Sequence, residues 1–445
     1  MSGHGKPSMP ALVQGAAAVG LLVAALVALE MSGLKVTRGP VFGLGFLVIA
    51  GTVAGHAAAM LRLPRLTGFL LAGVLSGPQA FGVLATEDVK ALSLINALAL
   101  ALIALQAGAE LTLSALRRTW KSVLLSSASQ TVVVVLPMAA LFFALSSFMP
   151  FLAGRAVGEV VAVAVVWGVL SLTRSPAVTL AILGETGAKG PVSEHALGVV
   201  VVLDVLVLPL FALAMALSGS QLSGAPLELS VISHLGFELF ASICAGVTFG
   251  LLIALLLRFI EGARVLVVVV LGFGVTALST YLHYDTLVIF VVAGFIVTNL
   301  TRFGNDLVHT SEKVSAGVMI VFFATAGAKL DLQALRTLWP LALAFFAGRT
   351  VLTFLACRVG HRLAKDPEVV RRYGFTAFIS QAGVTIGLAT LVADRMPGIG
   401  RALATLAIAV VSLNELVGPV VFSFGLKRAG EVPGAEVPVP EVKAS

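Results

Sequence analysis

Four charged side chains lie inside long apolar stretches of the sequence. Asp204 follows four valines and Leu203 in "GVVVVLDVLVLPL", and Arg349 occupies the middle of "AFFAGRTVLTF". Arg174 lies in "LSLTRSPAVTL" and Glu415 in "VVSLNELVGPVVF". A charged residue at the centre of a membrane helix costs about 2.5–3.5 kcal/mol on insertion scales, so such residues usually have a function. Two acids and two bases leave these four positions with no net charge.

Asp204 has the chemistry of a site that binds a cation or a proton. Apolar surroundings favour the protonated carboxyl group, whereas a dehydrated cation nearby favours the carboxylate. The same group can therefore bind a proton or a metal cation such as Na⁺, but not both at once, and this competition couples the two. A structural ion pair of Asp204 with Arg349 or Arg174 is the alternative interpretation. For Arg349 and Glu415 a purely structural role fits the sequence about as well as a role in a pathway.

The composition indicates that a membrane surrounds these residues. Of the 445 residues 58% are hydrophobic and 11% are charged, and the mean hydropathy is +1.05. Soluble domains carry about 25% charged residues. The apolar runs are long and lack the roughly ten-residue alternation of outer-membrane strands. We therefore predict an all-α polytopic membrane protein.

About fourteen (13–14) membrane helices are predicted from apolar segments, most of them near the ~20 residues that a spanning helix needs. The segments are 10–31, 41–61, 66–84, 91–113, 120–148, 156–185, 192–218, 230–257, 264–282, 285–300, 312–330, 337–362, 371–394 and 401–426.

The net charge of +7 is explained by membrane topology and gives no reason to expect a nucleic-acid partner. Lys and Arg are about twice as frequent in the loops on the N-terminal side as in the loops opposite. Because such residues accumulate in the cytoplasm, we expect both termini to be cytoplasmic and the protein to be multi-pass in the inner (plasma) membrane. The Pro-rich end of the sequence, "AGEVPGAEVPVPEVKAS", is predicted to be disordered.

The sequence contains an internal repeat. "LQAGAELTLSAL" (105–116) matches "ATAGAKLDLQAL" (324–335) at a spacing of 219, and Trp120 then aligns with Trp339. Two further matches keep the same order, 70–78 with 291–299 and 177–185 with 383–391. Each pair lies seven segments apart, an odd number, so the copies cross the membrane in opposite directions. Inverted repeats are typical of secondary transporters, although chance similarity among small apolar residues is the alternative.

The repeat also predicts the domain organisation. We expect five parts, namely an additional N-terminal helix at 1–40, a first repeat at 41–218, a linker helix at 219–263, a second repeat at 264–426 and a disordered cytoplasmic tail at 427–445.

Two paired segments carry residues that interrupt helices. In the sixth segment Thr173, Ser175 and Pro176 surround Arg174, and proline both removes a backbone donor and clashes with the preceding turn. In the thirteenth, Ser380, Gln381 and Gly383 occupy the matching place. Unwound carbonyl groups at such breaks can replace the water around a cation. A kinked but continuous helix is the alternative at each place.

Five stretches, taken in order, resemble the monovalent cation/proton antiporter superfamily. They are "LTGFLLAGVLSGP", "LALIALQAGAELTLSAL", "SPAVTLAILGETGAKGPVSEHALGVVVVLDVLVLPL", "GVMIVFFATAGAKLDL" and "LNELVGPVVF". The resemblance covers about residues 41–426 and is closest to the branch of the sodium/hydrogen exchanger family that contains the NapA-type exchangers and the Kef potassium-efflux systems. It implies a NapA/NhaA-like fold in which two discontinuous helices cross, and a homodimer whose protomers have a dimerisation domain and a mobile core domain.

The resemblance also implies roles for individual residues. Asp204 matches the family's cation- and proton-binding aspartate, with Thr173 and Ser175 as neighbouring binding residues. Arg349 matches the membrane-embedded base that compensates helix ends, and we assign Arg174 and Glu415 to charge compensation with it. The breaks match Thr173–Pro176 and Ser380–Gly383.

Two departures from the family pattern shape the expected mechanism. The family usually has a polar residue where this sequence has Leu203, and the absence of a second carboxylate favours electroneutral, one-for-one exchange. Arg174 places a positive charge in the broken peptide, so we expect it either to turn towards Glu415 or another acid, or to alter what the site binds.

The predicted function is exchange of Na⁺ or K⁺ for protons by alternating access. Potassium efflux of the Kef type and a transport-inactive sensor with the same fold are the alternatives. We expect no enzymatic activity, no cofactor and no partners beyond monovalent cations, protons, membrane lipid and a second copy of the chain. The sequence contains no phosphate-binding GxxxxGK[ST] motif, so we expect no coupling to ATP.

Overall fold

The structure is a computed structural model that describes residues 39–61, 63–223, 230–260, 264–282, 284–330, 332–381, 383–396 and 398–434. Within these ranges the chain forms α-helices and short 3₁₀ turns and no β-strand. The helices are α1 Pro40–Met60, α2 Arg65–Ser76, α3 Thr86–Ala91, α4 Ser93–Glu110, α5 Leu113–Leu145, α6 Val157–Leu170, α7 Pro176–Thr186, α8 Pro191–Ser223, α9 Ser230–Phe259, α10 Arg264–Leu282, α11 Thr286–Leu300, α12 Gly304–Ala328, α13 Leu332–Ala364, α14 Glu368–Tyr373, α15 Gly383–Arg395 and α16 Gly400–Arg428.

The all-α prediction is confirmed, and thirteen of the fourteen predicted segments coincide with a helix or with a pair of half-helices. The remaining segment, 10–31, lies within residues 1–38, which are outside the described part of the chain. Among those described, six helices are long and apolar enough to span a membrane, and seven shorter ones are apolar. The third segment ends earlier than predicted, at Ser76, because Pro78 cannot continue a helix.

The helices pack in two groups. One group contains α5, α6, α8, α13, α15 and α16, which pack mainly on one another. The other contains α1, α2, α4, α9, α10, α11 and α12. The two groups meet where α7 contacts α4, where α16 contacts α2 and where α8 contacts α9.

The repeated Ala-Gly-Ala stretches lie at close helix crossings. Gly108 on α4 packs against the carbonyl group of Val291 on α11, and Gly327 on α12 packs against that of Leu70 on α2. A Cβ atom at either glycine would overlap that carbonyl group. Leu70 and Val291 are themselves equivalent in the repeat, at a spacing of 221. The packing therefore agrees with the internal repeat that the sequence predicts.

The end of the chain is more ordered than predicted, because part of the proposed disordered tail 427–445 packs on the helices. Lys427 and Arg428 belong to α16. The carboxylate of Glu431 accepts hydrogen bonds from the backbone nitrogens of Val192 (2.6 Å) and Ser193 (2.8 Å), and from Ser193 Oγ. Glu431 thus satisfies the unpaired donors at the start of α8, which sequence position alone did not indicate. Residues 435–445 lie outside the described part of the chain.

Candidate ion-binding site

Two interrupted helices meet in the middle of the first group. α6 ends at Leu170 and α7 begins at Pro176, so residues 171–175 form the first break. A 3₁₀ turn, Gly374–Phe378, ends before the second break, and α15 begins at Gly383. Both interruptions lie where the sequence predicts them, and the continuous-helix alternative is wrong.

Direct hydrogen bonds hold the two breaks together. Thr173 Oγ1 lies 2.6 Å from Thr385 Oγ1. Gln381 Nε2 donates to Thr173 Oγ1 at 2.8 Å and to the carbonyl of Leu170 at 3.0 Å. All four residues are buried, so the crossing is a packed polar junction inside an apolar bundle.

Local sequence explains how each half-helix begins. Ser175 caps α7, its Oγ accepting the Val178 backbone N–H at 3.2 Å, and Pro176 takes the first helical position, where no backbone donor is needed. At the second break, Ser380 lies against Gly418 of α16 so closely that any side chain at residue 418 would collide with it.

Arg349 connects both breaks. Its Nε donates to the Ser171 carbonyl at 2.9 Å and its Nη2 to the Thr173 carbonyl at 2.9 Å. Its Nη1 donates to the Ile379 carbonyl at 2.7 Å and to Asn414 Oδ1 at 3.0 Å. These carbonyl groups lack helical partners, so the guanidinium supplies donors that the interrupted helices have lost.

Arg174 is completely enclosed and bonds to neutral groups. Its Nη2 donates to Gln130 Oε1 at 3.0 Å and to Thr353 Oγ1 at 3.3 Å. Its Nη1 donates to the carbonyls of Ser171 and Thr173 at 3.1 and 3.0 Å. None of these partners is a carboxylate, so the expected turn towards Glu415 does not occur among the described contacts. Arg349 likewise has no carboxylate among its hydrogen-bond partners.

The two guanidinium groups share the carbonyls of the first break. Ser171 and Thr173 each offer their carbonyl oxygen to both Arg174 and Arg349. A cation could use those oxygens only after an arginine had moved, because both lone-pair directions are engaged. In this conformation the two guanidinium groups therefore occupy the carbonyl oxygens of the first break.

Two carboxyl groups have buried oxygens that lack a hydrogen-bond partner in the described part of the chain. Asp204 is half-buried, and its Oδ1 is fully buried with no hydrogen-bond partner among the described residues. Both oxygens of Glu415, on α16, are equally buried and unpartnered. A buried polar atom without a partner costs about 1–3 kcal/mol, so each group is prepared to receive a proton or a cation. No described hydrogen bond joins Asp204 to Thr173 or Ser175.

A narrow cleft lies between the two helix groups beside the first break. Arg174, Ser175 and Ala177 line one wall, and Ile103 of α4 and Leu287 of α11 line the other. Just before α11, Asp285 caps that helix through the Val288 backbone N–H (3.0 Å) and lies within electrostatic range of Asp204. The first broken helix is thus accessible from the boundary between the groups.

The profile of the family described as "Sodium/hydrogen exchanger, transmembrane" matches residues 44–428. The chain belongs to the sodium/hydrogen exchanger family. The resemblance inferred from the sequence is confirmed, and the exchanger is a multi-pass membrane transporter.

Solved structures agree on the fold. The sodium proton antiporter MjNhaP1 from Methanocaldococcus jannaschii at pH 8 superimposes with a TM-score of 0.65 and 16% identity, over 89% of the exchanger and 99% of that chain. An electron-microscopy structure of the same antiporter gives a TM-score of 0.68 at 15% identity, over 89% and 98%. Among curated proteins, no sequence matches the exchanger.

The sequence prediction missed the neutral residues that complete the crossing. Gln130 and Asn414 take bonds from the arginines, yet neither was proposed as a site residue. Both could have been found from the repeat. When "SQTVV" (129–133) is aligned with "GRTVL" (348–352), 219 residues later, Gln130 is equivalent to Arg349. "LDVLVLP" (203–209) and "LNELVGP" (413–419), 210 apart, place Asn414 opposite Asp204.

Proposed function

We propose that this exchanger moves one monovalent cation, Na⁺ or K⁺, in exchange for one proton, with Asp204 binding either ion in turn. The observation that carries the proposal is the carboxylate of Asp204, whose buried Oδ1 has no hydrogen-bond partner among the described residues. An oxygen in such surroundings binds a proton strongly until a dehydrated cation replaces it. Family membership supports cation/proton exchange as the general activity.

The residues next to Asp204 in the sequence and the two buried arginines support electroneutral exchange. Leu203, next to Asp204, is fully buried and cannot take a proton. Arg349 and Arg174 are already bonded to neutral oxygens, so neither needs Asp204 as a partner. If one carboxylate carries the exchange, one positive charge moves each way, as Na⁺ or K⁺ in one direction and H⁺ in the other.

The arrangement of helices supports alternating access. The cleft lies at the boundary between the two groups, and α6 and α15, one half of each broken helix, belong to the group that contains α8 and Asp204. A rigid-body displacement of this group against the other would expose the Asp204 region first on one membrane face and then on the other. In a homodimer the second group would form the stationary part.

Proteoliposomes test the proposal directly. Acid-loaded vesicles containing the exchanger should lose their pH gradient when NaCl or KCl is added outside, and LiCl supplies a third cation for selectivity. Asp204→Asn should abolish this response. Asp306→Asn is the matched control, because Asp306 is half-exposed and pairs with Arg264 at 2.9 Å, away from the helix crossing. Normal exchange by Asp204→Asn would refute the assignment.

Two other results would support the alternatives. Potassium flux without proton movement would favour an efflux pathway of the Kef type. A folded wild-type protein that moves neither ion would favour a transport-inactive sensor, for which the occupied carbonyls of Ser171 and Thr173 give a structural reason. Rates that change with an imposed membrane potential would exclude the electroneutral stoichiometry.

A further inference from the structure

A second polar cluster lies away from the helix crossing, where three helices end together. His195 is in the second turn of α8, and His361 is in the last turn of α13. Asp366 follows α13, and Ser122 lies near the start of α5. His195 is nine residues before Asp204 on the same helix, which corresponds to about 13 Å. None of these four residues takes part in the exchange mechanism proposed above.

The two histidines face each other. His195 Nε2 and His361 Nε2 are 2.9 Å apart, and the ring planes are 78° apart. The relative exposures of the two residues are 1% and 0%, so both imidazole rings are shielded from bulk solvent. One ligand atom from each of His195, His361 and Asp366 lies within 4.8 Å of the other two.

The hydrogen bonds of His195 determine which of its ring nitrogens is protonated and which carries a lone pair. Ser122 Oγ donates to Asp366 Oδ2 at 2.8 Å, so its own lone pair is left to accept from His195 Nδ1 at 2.7 Å. With the proton of neutral His195 on Nδ1, Nε2 carries the lone pair. An oxygen acceptor that fixes the tautomer of a histidine through its second nitrogen, as Ser122 Oγ does here, is the usual outer-shell arrangement around a metal-binding histidine.

His361 shows that the cluster is incomplete with protein groups alone. Its Nδ1 is buried and has no hydrogen-bond partner among the described residues. If His361 donates from Nε2 to His195, this Nδ1 is a bare lone pair in an apolar site. If the proton is moved to Nδ1, both Nε2 atoms direct lone pairs at one place, and a cation is then needed between them.

The geometry points to a binding site for one divalent transition-metal ion, with Zn²⁺ as the reference ion, held by His195, His361 and Asp366 and oriented by Ser122. Two imidazole nitrogens that lie about 2.0–2.1 Å from one metal and subtend a right angle there would be about 2.8–3.0 Å apart. The observed Nε2–Nε2 separation of 2.9 Å is in that range. A tetrahedral Zn²⁺ site requires about 3.3 Å, which a small separation of α8 and α13 would supply. Imidazole nitrogen with one carboxylate suits such ions and does not suit Na⁺ or K⁺.

Bound metal would join α8 directly to the end of α13 and would involve α5 through the hydrogen bonds of Ser122. α8 carries Asp204, α13 carries Arg349, and α5 carries Gln130, so the ion would tie together the ends of the helices that form the crossing. We expect metal to stabilise this group against thermal unfolding by mass action, because the three ligands are brought together only in the folded chain.

Metal binding to the purified full chain, free of any histidine tag, tests the inference. ZnCl₂ is titrated into detergent-solubilised protein by calorimetry, and bound zinc is counted by elemental analysis after dialysis. We expect one equivalent in the wild type, loss of it in His195→Gln and His361→Gln, and at least about tenfold weaker binding in Ser122→Ala, whose effect is only on orientation. His56→Gln is the control, because His56 bonds locally to the Thr52 carbonyl at 2.7 Å.

A spectroscopic readout keeps the test decisive if a histidine variant fails to fold. CoCl₂ added to the wild type should produce visible d–d bands that excess ZnCl₂ removes, and the half-buried Asp366→Asn should weaken them. Wild-type protein that binds no zinc and shows no cobalt bands would overturn the inference. Zinc binding of equal strength in His361→Gln and the wild type would overturn it as well.

Discussion

Gly73 of α2 and Gly294 of α11 make equivalent contacts in the two halves of the exchanger. Gly73 lies against the Ala324 carbonyl on α12, and Gly294 lies against the Leu105 carbonyl on α4. The two glycines are 221 residues apart and their partners 219 apart, the spacings of the internal repeat. A Cβ atom at either glycine would overlap the opposing backbone. The repeated small residues therefore allow the close approach of backbones at two equivalent helix crossings.

This close packing predicts a strong effect of one methyl group. Gly108→Ala should lower the unfolding free energy by about 1–3 kcal/mol, because the added Cβ would overlap the Val291 carbonyl and backbone cannot easily move away. The measurement is the thermal unfolding midpoint in detergent. Gly274→Ala is the matched control, since nothing lies within 4 Å of a Cβ there. Equal midpoints for the two variants would contradict the crossing as described.

The shared carbonyls at the first break predict that Arg174 opposes cation binding. Arg174→Gln removes one of two positive charges and frees one acceptor direction on Ser171 and on Thr173. We expect the cation concentration for half-maximal exchange to fall several-fold, up to about tenfold, with little change in maximal rate. The measurement is the cation dependence of proton movement in proteoliposomes.

Arg336→Gln serves as control for that experiment, because Arg336 is exposed near the start of α13. If a folded Arg174→Gln variant needs a higher cation concentration for half-maximal exchange, this arginine supports the ion site and does not compete with it.

The contact of Glu431 with α8 predicts a local effect at the start of that helix. Glu431→Ala leaves the Val192 and Ser193 amides without their acceptor and should destabilise the folded chain by about 1–2 kcal/mol. Hydrogen exchange should show faster exchange in the first turn of α8 while α11 is unchanged. Glu87→Ala, at an exposed position, is the control. Unchanged exchange at Val192 would mean that another group caps α8.

Much of the architecture followed from the sequence because it depends on patterns that act locally or recur along the chain. The length of an apolar segment predicts a membrane helix, and proline and glycine predict where it is interrupted. Matching stretches at a spacing of 219 residues indicate the duplication. The positions of both breaks, the burial of Arg174 and the family resemblance all came from residue type and spacing.

The partners of the buried charges were decided by the tertiary structure alone. The sequence predicted that Arg174 either turns towards an acid such as Glu415 or alters what the site binds, and the packed interior places Gln130 and two backbone carbonyls within its reach. A hydrogen bond requires atoms within about 3 Å, and segment order does not specify distances that small. His195 and His361 meet for the same reason, since only the packing of α8 against its neighbours brings residues 166 apart in sequence to 2.9 Å.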